Sequence, residues 1–405
     1  MVGRLVHAFA VFLAGMMASV GSPSGPVRHP AARSTVRPLV QKLTLQQLAG
    51  QRIVYSYAGL RPPGSLLAAI RAGEAGGVIF FGPNVSSAPQ LRSVINELQG
   101  ASRASPLHTR LLMLTDQEGG EVRRLPGAPA LSEKQIGESS GATAAASAAG
   151  AGAARTLQSA GINVNLAPVL DVYHRPGNFI DEFQRSYSSD SATVAKLGAA
   201  FIAAQQRAGV AATAKHFPGL GGAGRSQNTD LEPVTLPTSR ATLRAVDESP
   251  YVSAIAAGVK LVMSSWATYP ALDSHLPAGL SPAVIQGELR GRLGFKGVTI
   301  TDGIDAGALG RYGGVGNRAA LAASAGADLI LCATTNPDDN TPAIGVAARN
   351  AIASALAHHR LSVTGAEQSA TRILTLRAKP LSALTADRLG EVEVVVRVDV
   401  AADPL

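Results

Sequence analysis

Short apolar runs rich in β-branched residues recur along the chain. Each is followed by an Ala/Leu-rich stretch in which apolar positions return every three or four residues. The runs fall at 51–57, 77–81, 111–116, 161–172, 211–217, 259–266, 297–302 and 328–333, which predicts eight strands. The stretches between them predict helices such as 89–101, 140–160, 192–208, 239–257, 282–293 and 317–325. Eight strand–helix units in about 330 residues fit a parallel (β/α)8 barrel of the TIM type, forming one domain over 35–381. A doubly wound open sheet is the alternative.

The two ends do not follow this pattern. Arg4 and His7 precede an apolar run at 8–20, and Gly21-Ser22 then opens a Pro/Ser/Gly-rich stretch that reaches Ser34. Positive start, apolar middle and small residues are the order of a secretory signal, so 1–34 is expected to be a signal peptide and linker. The apolar run is shorter than the roughly 20 residues that span a bilayer, although an uncleaved anchor stays open. These features point to export, to the extracellular space or the cell wall. Residues 382–405 form a tail in which 392–400 alternates like a short strand.

Composition narrows the function classes. Of 405 residues 46% are hydrophobic and only 16% charged, which excludes a highly charged disordered chain. The formal net charge is +8, but the Lys and Arg are scattered and are not interleaved with aromatics. That excludes a dedicated nucleic-acid surface. Cys332 is the only cysteine and has no internal disulfide partner. The eight His show no metal-ligand spacing, so no structural metal is expected.

In a barrel the reactive groups sit at the C-terminal ends of the strands, and the sequence meets this demand. Asp116 ends the third predicted strand, Asp171 the fourth, Lys215 and His216 the fifth, and Asp302 the seventh. Directly after the fifth strand, residues 219–224 match Gly-x-Gly-x-x-Gly. A dinucleotide-binding turn must open a helix, whereas 225–233 is polar, loop-like and ends at Pro233. The glycines are therefore read as a mobile loop over a pocket, and no nicotinamide cofactor is expected.

Clustered carboxylates and basic residues suit glycoside hydrolysis, which needs one group at the anomeric carbon and another to protonate the leaving oxygen. The segment LLMLTDQEGGEVRRL at 111–125 resembles the Asp-x-Glu-Gly-Gly segment of the family 3 glycoside hydrolases, in their bacterial β-N-acetylglucosaminidase branch. GGVIFF at 76–81, NLAPVLDV at 165–172, RSY at 185–187, KHFPG at 215–219, YPALD at 269–273 and LGFKGVTITDGIDAGAL at 293–309 follow in that family's order.

The resemblance covers about 40–380 and implies a retaining O-glycosyl hydrolase. Asp302 stands where the family places its nucleophile, and Asp116 where it places an acceptor for sugar hydroxyls. Arg124, Arg185, Lys215 and His216 match its binding residues, while Asp171 could as easily hold these side chains in place. For Arg124 and Arg185 the alternative is a loop-bracing ion pair. The implied partner is a carbohydrate, with no cofactor and no membrane span in the mature chain, and a monomer is expected.

The proton donor departs from the family pattern. That branch carries Asp-Ser-His on the loop after KHFPGHG, with the His as acid/base. Here Leu220 replaces the first loop His, and Ser226-Gln227-Asn228-Thr229-Asp230 occupies the region of the second. Asp230 is the nearest carboxyl able to act, and Glu232 is the second candidate. The expected activity is removal of terminal β-linked N-acetylhexosamine. The alternatives are another β-glycosidase specificity, or a glycan-binding protein derived from an enzyme.

Overall fold

The structure, a computed structural model, describes residues 31–378. The expected signal segment up to residue 30 and the tail at 382–405 lie outside the described residues. The first helix, Ala31–Val40, begins inside the span read as linker.

Eight parallel strands close into a barrel: β1 (Ile53–Tyr55), β2 (Gly77–Ile79), β3 (Leu112–Thr115), β4 (Val164–Asn165), β5 (Ala211–Phe217), β6 (Leu261–Ser264), β7 (Val298–Gly303) and β8 (Leu329–Leu331). Ile53 opposite Ile330 closes the ring between β1 and β8. The open sheet is thereby excluded.

Alternation along the strands sorts the side chains into two layers. Val54, Ile79, Leu112, Leu114, Val164, Leu261, Met263, Val298, Ile300 and Leu329 point inward and fill the barrel. Ile53, Tyr55, Val78, Met113 and Ile330 point outward against the helices, as do Ala212, Ala214 and Val262 on the opposite side. The period of two then fixes where the ionisable residues go. Counting on from Leu112 and Leu114 gives Asp116, from Val298 and Ile300 gives Asp302, and from Ala211 and Thr213 gives Lys215. Each takes the next inward position above the last apolar layer, at the C-terminal mouth.

Three predicted elements differ. The run 161–172 forms a regular ladder only at Val164–Asn165. Pro168 has no N–H to donate, and pairing resumes where Val169 bridges Lys215 and the Leu170 amide donates to the Lys215 carbonyl at 2.7 Å. The run 239–257 is not one helix. A short turn at Arg240–Thr242 passes into a wide π-type turn at Leu243–Asp247, and a helix restarts at Ser249–Ala256 with Pro250 in its first turn, where the missing N–H costs nothing. The run 282–293 likewise forms wide turns over Ala283–Arg292.

Candidate active site

At the C-terminal mouth lies a pocket of about 230 Å³. Seven of the residues singled out from the sequence line it, Asp116, Arg124, Arg185, Lys215, His216, Asp230 and Asp302, whereas Asp171 and Glu232 do not. Ile79, Leu166, Met263 and Leu331, the top of the apolar layer, form part of its wall.

One side of the pocket is a buried charge network. Lys215 Nζ lies 2.7 Å from an oxygen of Asp116 and 2.7 Å from Glu118 Oε1. Arg185 closes on Glu118 with two hydrogen bonds, Nε to Oε2 at 2.9 Å and Nη2 to Oε1 at 2.8 Å. Burial alone would raise the Glu118 pKa, but the two cations outweigh it and hold the carboxyl well below its usual range. Burial would likewise lower Lys215, yet Asp116 and Glu118 raise it above the ordinary value. Glu118 and Lys215 side chains are 2% and 3% exposed, against 14% for Asp116 and 17% for Arg185, so the buried pair props up the pair a ligand can reach.

Sequence reasoning assigned no role to Glu118. It stands two residues after Asp116 in the Asp-x-Glu segment, which was the available signal. For Arg185 the bracing alternative is realised in part, because its ion pair with Glu118 also forms the pocket wall. Arg124 differs. Its Nε is buried without a hydrogen-bond partner, which leaves a donor for a ligand oxygen.

Asp171 is fully buried and orients its neighbours. It accepts from His216 Nδ1 at 2.7 Å, from the His216 amide at 3.2 Å and from the Leu220 amide at 2.7 Å. The imidazole therefore turns Nε2 toward the pocket, 3.5 Å from Arg185 Nη2.

Across the pocket stand Asp302 and Asp230. The Gly303 amide donates to Asp302 Oδ1 at 2.8 Å. Asp230 reaches solvent at the pocket mouth, yet crowding by surrounding protein, and then the negative charge of Asp302, push its carboxyl up to about 6. Arg185 and His216 act in the opposite direction. Glu232 is exposed and does not line the pocket.

In the loop after β5 the glycines pack closely against neighbouring loops. The Gly221 carbonyl accepts from the His174 amide at 3.0 Å and from Asn178 Nδ2 at 2.6 Å, and the Tyr269 hydroxyl donates to the Gly219 carbonyl at 2.9 Å. A Cβ on Gly221 would lie 1.8 Å from the Val172 carbonyl oxygen, so glycine is needed there for close packing. Further along, the Ala308 amide donates to the Thr229 carbonyl at 3.1 Å, and Val234 and Leu236 bond to Thr268 at 2.8 and 2.9 Å. The loop is strapped to the loops after β4, β6 and β7.

The closed parallel barrel gathers carboxylates, lysine, arginine and histidine above an apolar floor, a pocket with the donors and acceptors that suit a polyhydroxylated ligand. Residues 44–376 match the "Glycosyl hydrolase family 3 N terminal domain", and the chain belongs to that family of glycosyl hydrolases. It is 47% identical over 333 residues to a secreted glycosyl hydrolase of Arthroderma benhamiae, covering 82% of this chain and 92% of that protein. It is 33% identical over 300 residues to beta-hexosaminidase A of Pseudoalteromonas piscicida, covering 65% of this chain and 49% of the other. Among solved structures, a family 3 β-N-acetylglucosaminidase from a Paenibacillus species superposes with a TM-score of 0.77 at 36% identity, covering 82% of this chain and 62% of that one. The chain thus spans about half of the Pseudoalteromonas protein and under two thirds of the Paenibacillus one.

Proposed function

We propose that the protein is an exported, retaining β-glycosidase that removes terminal β-linked N-acetylhexosamine from cell-wall or related glycans. Its similarity to a beta-hexosaminidase and to a β-N-acetylglucosaminidase supports the sugar, and its similarity to a secreted hydrolase supports export. The segment 1–34 would supply the signal.

The observation that carries the mechanism is that two carboxyls, Asp302 and Asp230, line one pocket. Asp230 keeps its proton to about pH 6 partly because Asp302 is negative beside it. In the first step an Asp302 carboxylate oxygen attacks the anomeric carbon, and the bond to the leaving oxygen breaks as that oxygen takes the Asp230 proton. In the second step water gives its proton to Asp230 and its hydroxyl to the anomeric carbon, which releases Asp302. Asp116, Arg124, Arg185, Lys215 and His216 hold the sugar hydroxyls and the amide.

A panel of aryl β-glycosides tests this reading. Turnover of the N-acetylglucosaminide above the glucoside, galactoside and xyloside is expected. Preference for any of the others rejects the N-acetyl assignment while keeping the class.

A further inference from the structure

An imidazole–carboxylate pair, its carboxylate buried and its imidazole partly exposed, lies outside the pocket, at the root of the loop that carries Asp230. His174, from the loop after β4, sets Nε2 2.8 Å from Asp247 Oδ1. Asp247 stands at the end of the wide turn Leu243–Asp247, where the break in the predicted helix 239–257 leaves it with a side chain only 1% exposed. Its other oxygen, Oδ2, is buried without a partner. Neither residue lines the pocket.

Both partners contact the loop root. The His174 amide donates to the Gly221 carbonyl at 3.0 Å, and its ring lies 3.5 Å from the place a Cβ on Gly222 would occupy. Asp247 packs so close to Gly219 that a Cβ there would lie 2.6 Å from the Asp247 Cβ. The loop root is therefore packed against one residue from the loop after β4 and one from the wide turn Leu243–Asp247. Leu220, in the place of the family's first loop histidine, lines the pocket, and the imidazole at this root comes from a neighbouring loop. The hydrogen bond to Asp247 raises the His174 pKa and favours the ion-paired form. Burial, opposed by His174, raises that of Asp247.

We infer that His174, through its pair with Asp247, is a positioning residue that fixes the loop and with it the carboxyl of Asp230 over the leaving group. This rests on the reading of Asp230 as the acid. Removing the ring leaves the Asp247 carboxylate buried without its hydrogen-bond partner and frees the loop root to shift, while Asp302 and Asp116, on β7 and after β3, keep their own supports.

The test compares wild type, His174→Ala, His174→Gln and Asp230→Ala on two N-acetyl-β-glucosaminides, one with a dinitrophenyl and one with a methyl leaving group. His174→Ala should lower kcat on the methyl glycoside by roughly tenfold or more, the scale of a misplaced catalytic group, and change the dinitrophenyl rate less than about twofold. His174→Gln, whose Nε2 can donate to Asp247, should restore most of the loss. Equal losses on both substrates, no loss on the methyl glycoside, or no rescue by Gln overturns the inference.

Hydrogen exchange of the same proteins separates it from the Asp230 reading. His174→Ala should speed exchange at the amides of 219–224 and also of 229–231, and an effect that stops at 224 overturns the inference whatever the donor is. If Asp230→Ala leaves the ratio of the two rates unchanged, the assignment of Asp230 fails, and exchange alone then decides whether His174 sets the loop.

Discussion

The Gly307 amide donates to the Asp230 carbonyl oxygen at 2.8 Å, which ties the loop after β5 to the loop after β7 a few residues beyond Asp302. The two proposed catalytic carboxylates thus share a backbone anchor although 72 positions separate them in sequence (302 − 230). Glycine is required at 307, because a Cβ there would lie 2.1 Å from the Leu231 carbonyl oxygen. Gly307→Ala should therefore push 229–231 away from β7. The expected result is a loss of kcat on poor leaving groups of roughly tenfold or more, with inhibitor affinity changed less than about twofold. A rate equal to wild type would show that the anchor does not set the acid.

Much of this arrangement was legible in the chain because the strand period is short and strict. Once β3, β5 and β7 are recognised, alternation alone puts Asp116, Lys215 and Asp302 on the inward face. Contacts between loops have no such period. Glu118 is paired by Arg185 and Lys215, which lie 67 and 97 positions further on, and nothing local to Glu118 announces either (185 − 118 and 215 − 118). The packing of the Gly219–Gly224 glycines was not legible for a related reason. Glycine permits both mobility and close backbone approach, and only the position of Val172 and Asp247 decides between them.

Asp302→Asn should abolish turnover and leave the fold intact, since it removes the attacking charge with almost no change in volume. A slowed 2-fluoro or comparable substrate should label the wild type covalently. Mass spectrometry that finds the sugar on a peptide without Asp302 rejects the nucleophile assignment.

Asp116 and Lys215 should separate when affinity and stability are both measured. Asp116→Ala loses a charged hydrogen-bond acceptor at the pocket surface and should weaken inhibitor binding by about 1.5–3 kcal/mol in calorimetry. Lys215→Ala should do likewise and also destabilise the fold by about 1.5–3 kcal/mol, because it leaves buried Glu118 with one cation instead of two. Denaturant unfolding checks the second effect. Equal stability of the two variants would mean that the network is less buried in solution than its geometry requires.

The pH profile carries the sharpest consequence of the Asp230 assignment. A carboxyl with a pKa near 6 is protonated, and so able to act as an acid, up to about that pH, whereas one at the ordinary 3.8 would have lost its proton two units lower. For a natural disaccharide kcat/KM should therefore fall as pH rises through about 6. A dinitrophenyl glycoside, whose leaving group departs unaided, should not show that limb. Asp230→Ala should slow the disaccharide by roughly 10²–10⁴-fold, remove the limb and spare the activated substrate in the first step. Full activity on the disaccharide would place the donor elsewhere. Glu232 is then the next residue to substitute, and its position outside the pocket means that the loop would have to move for it to act.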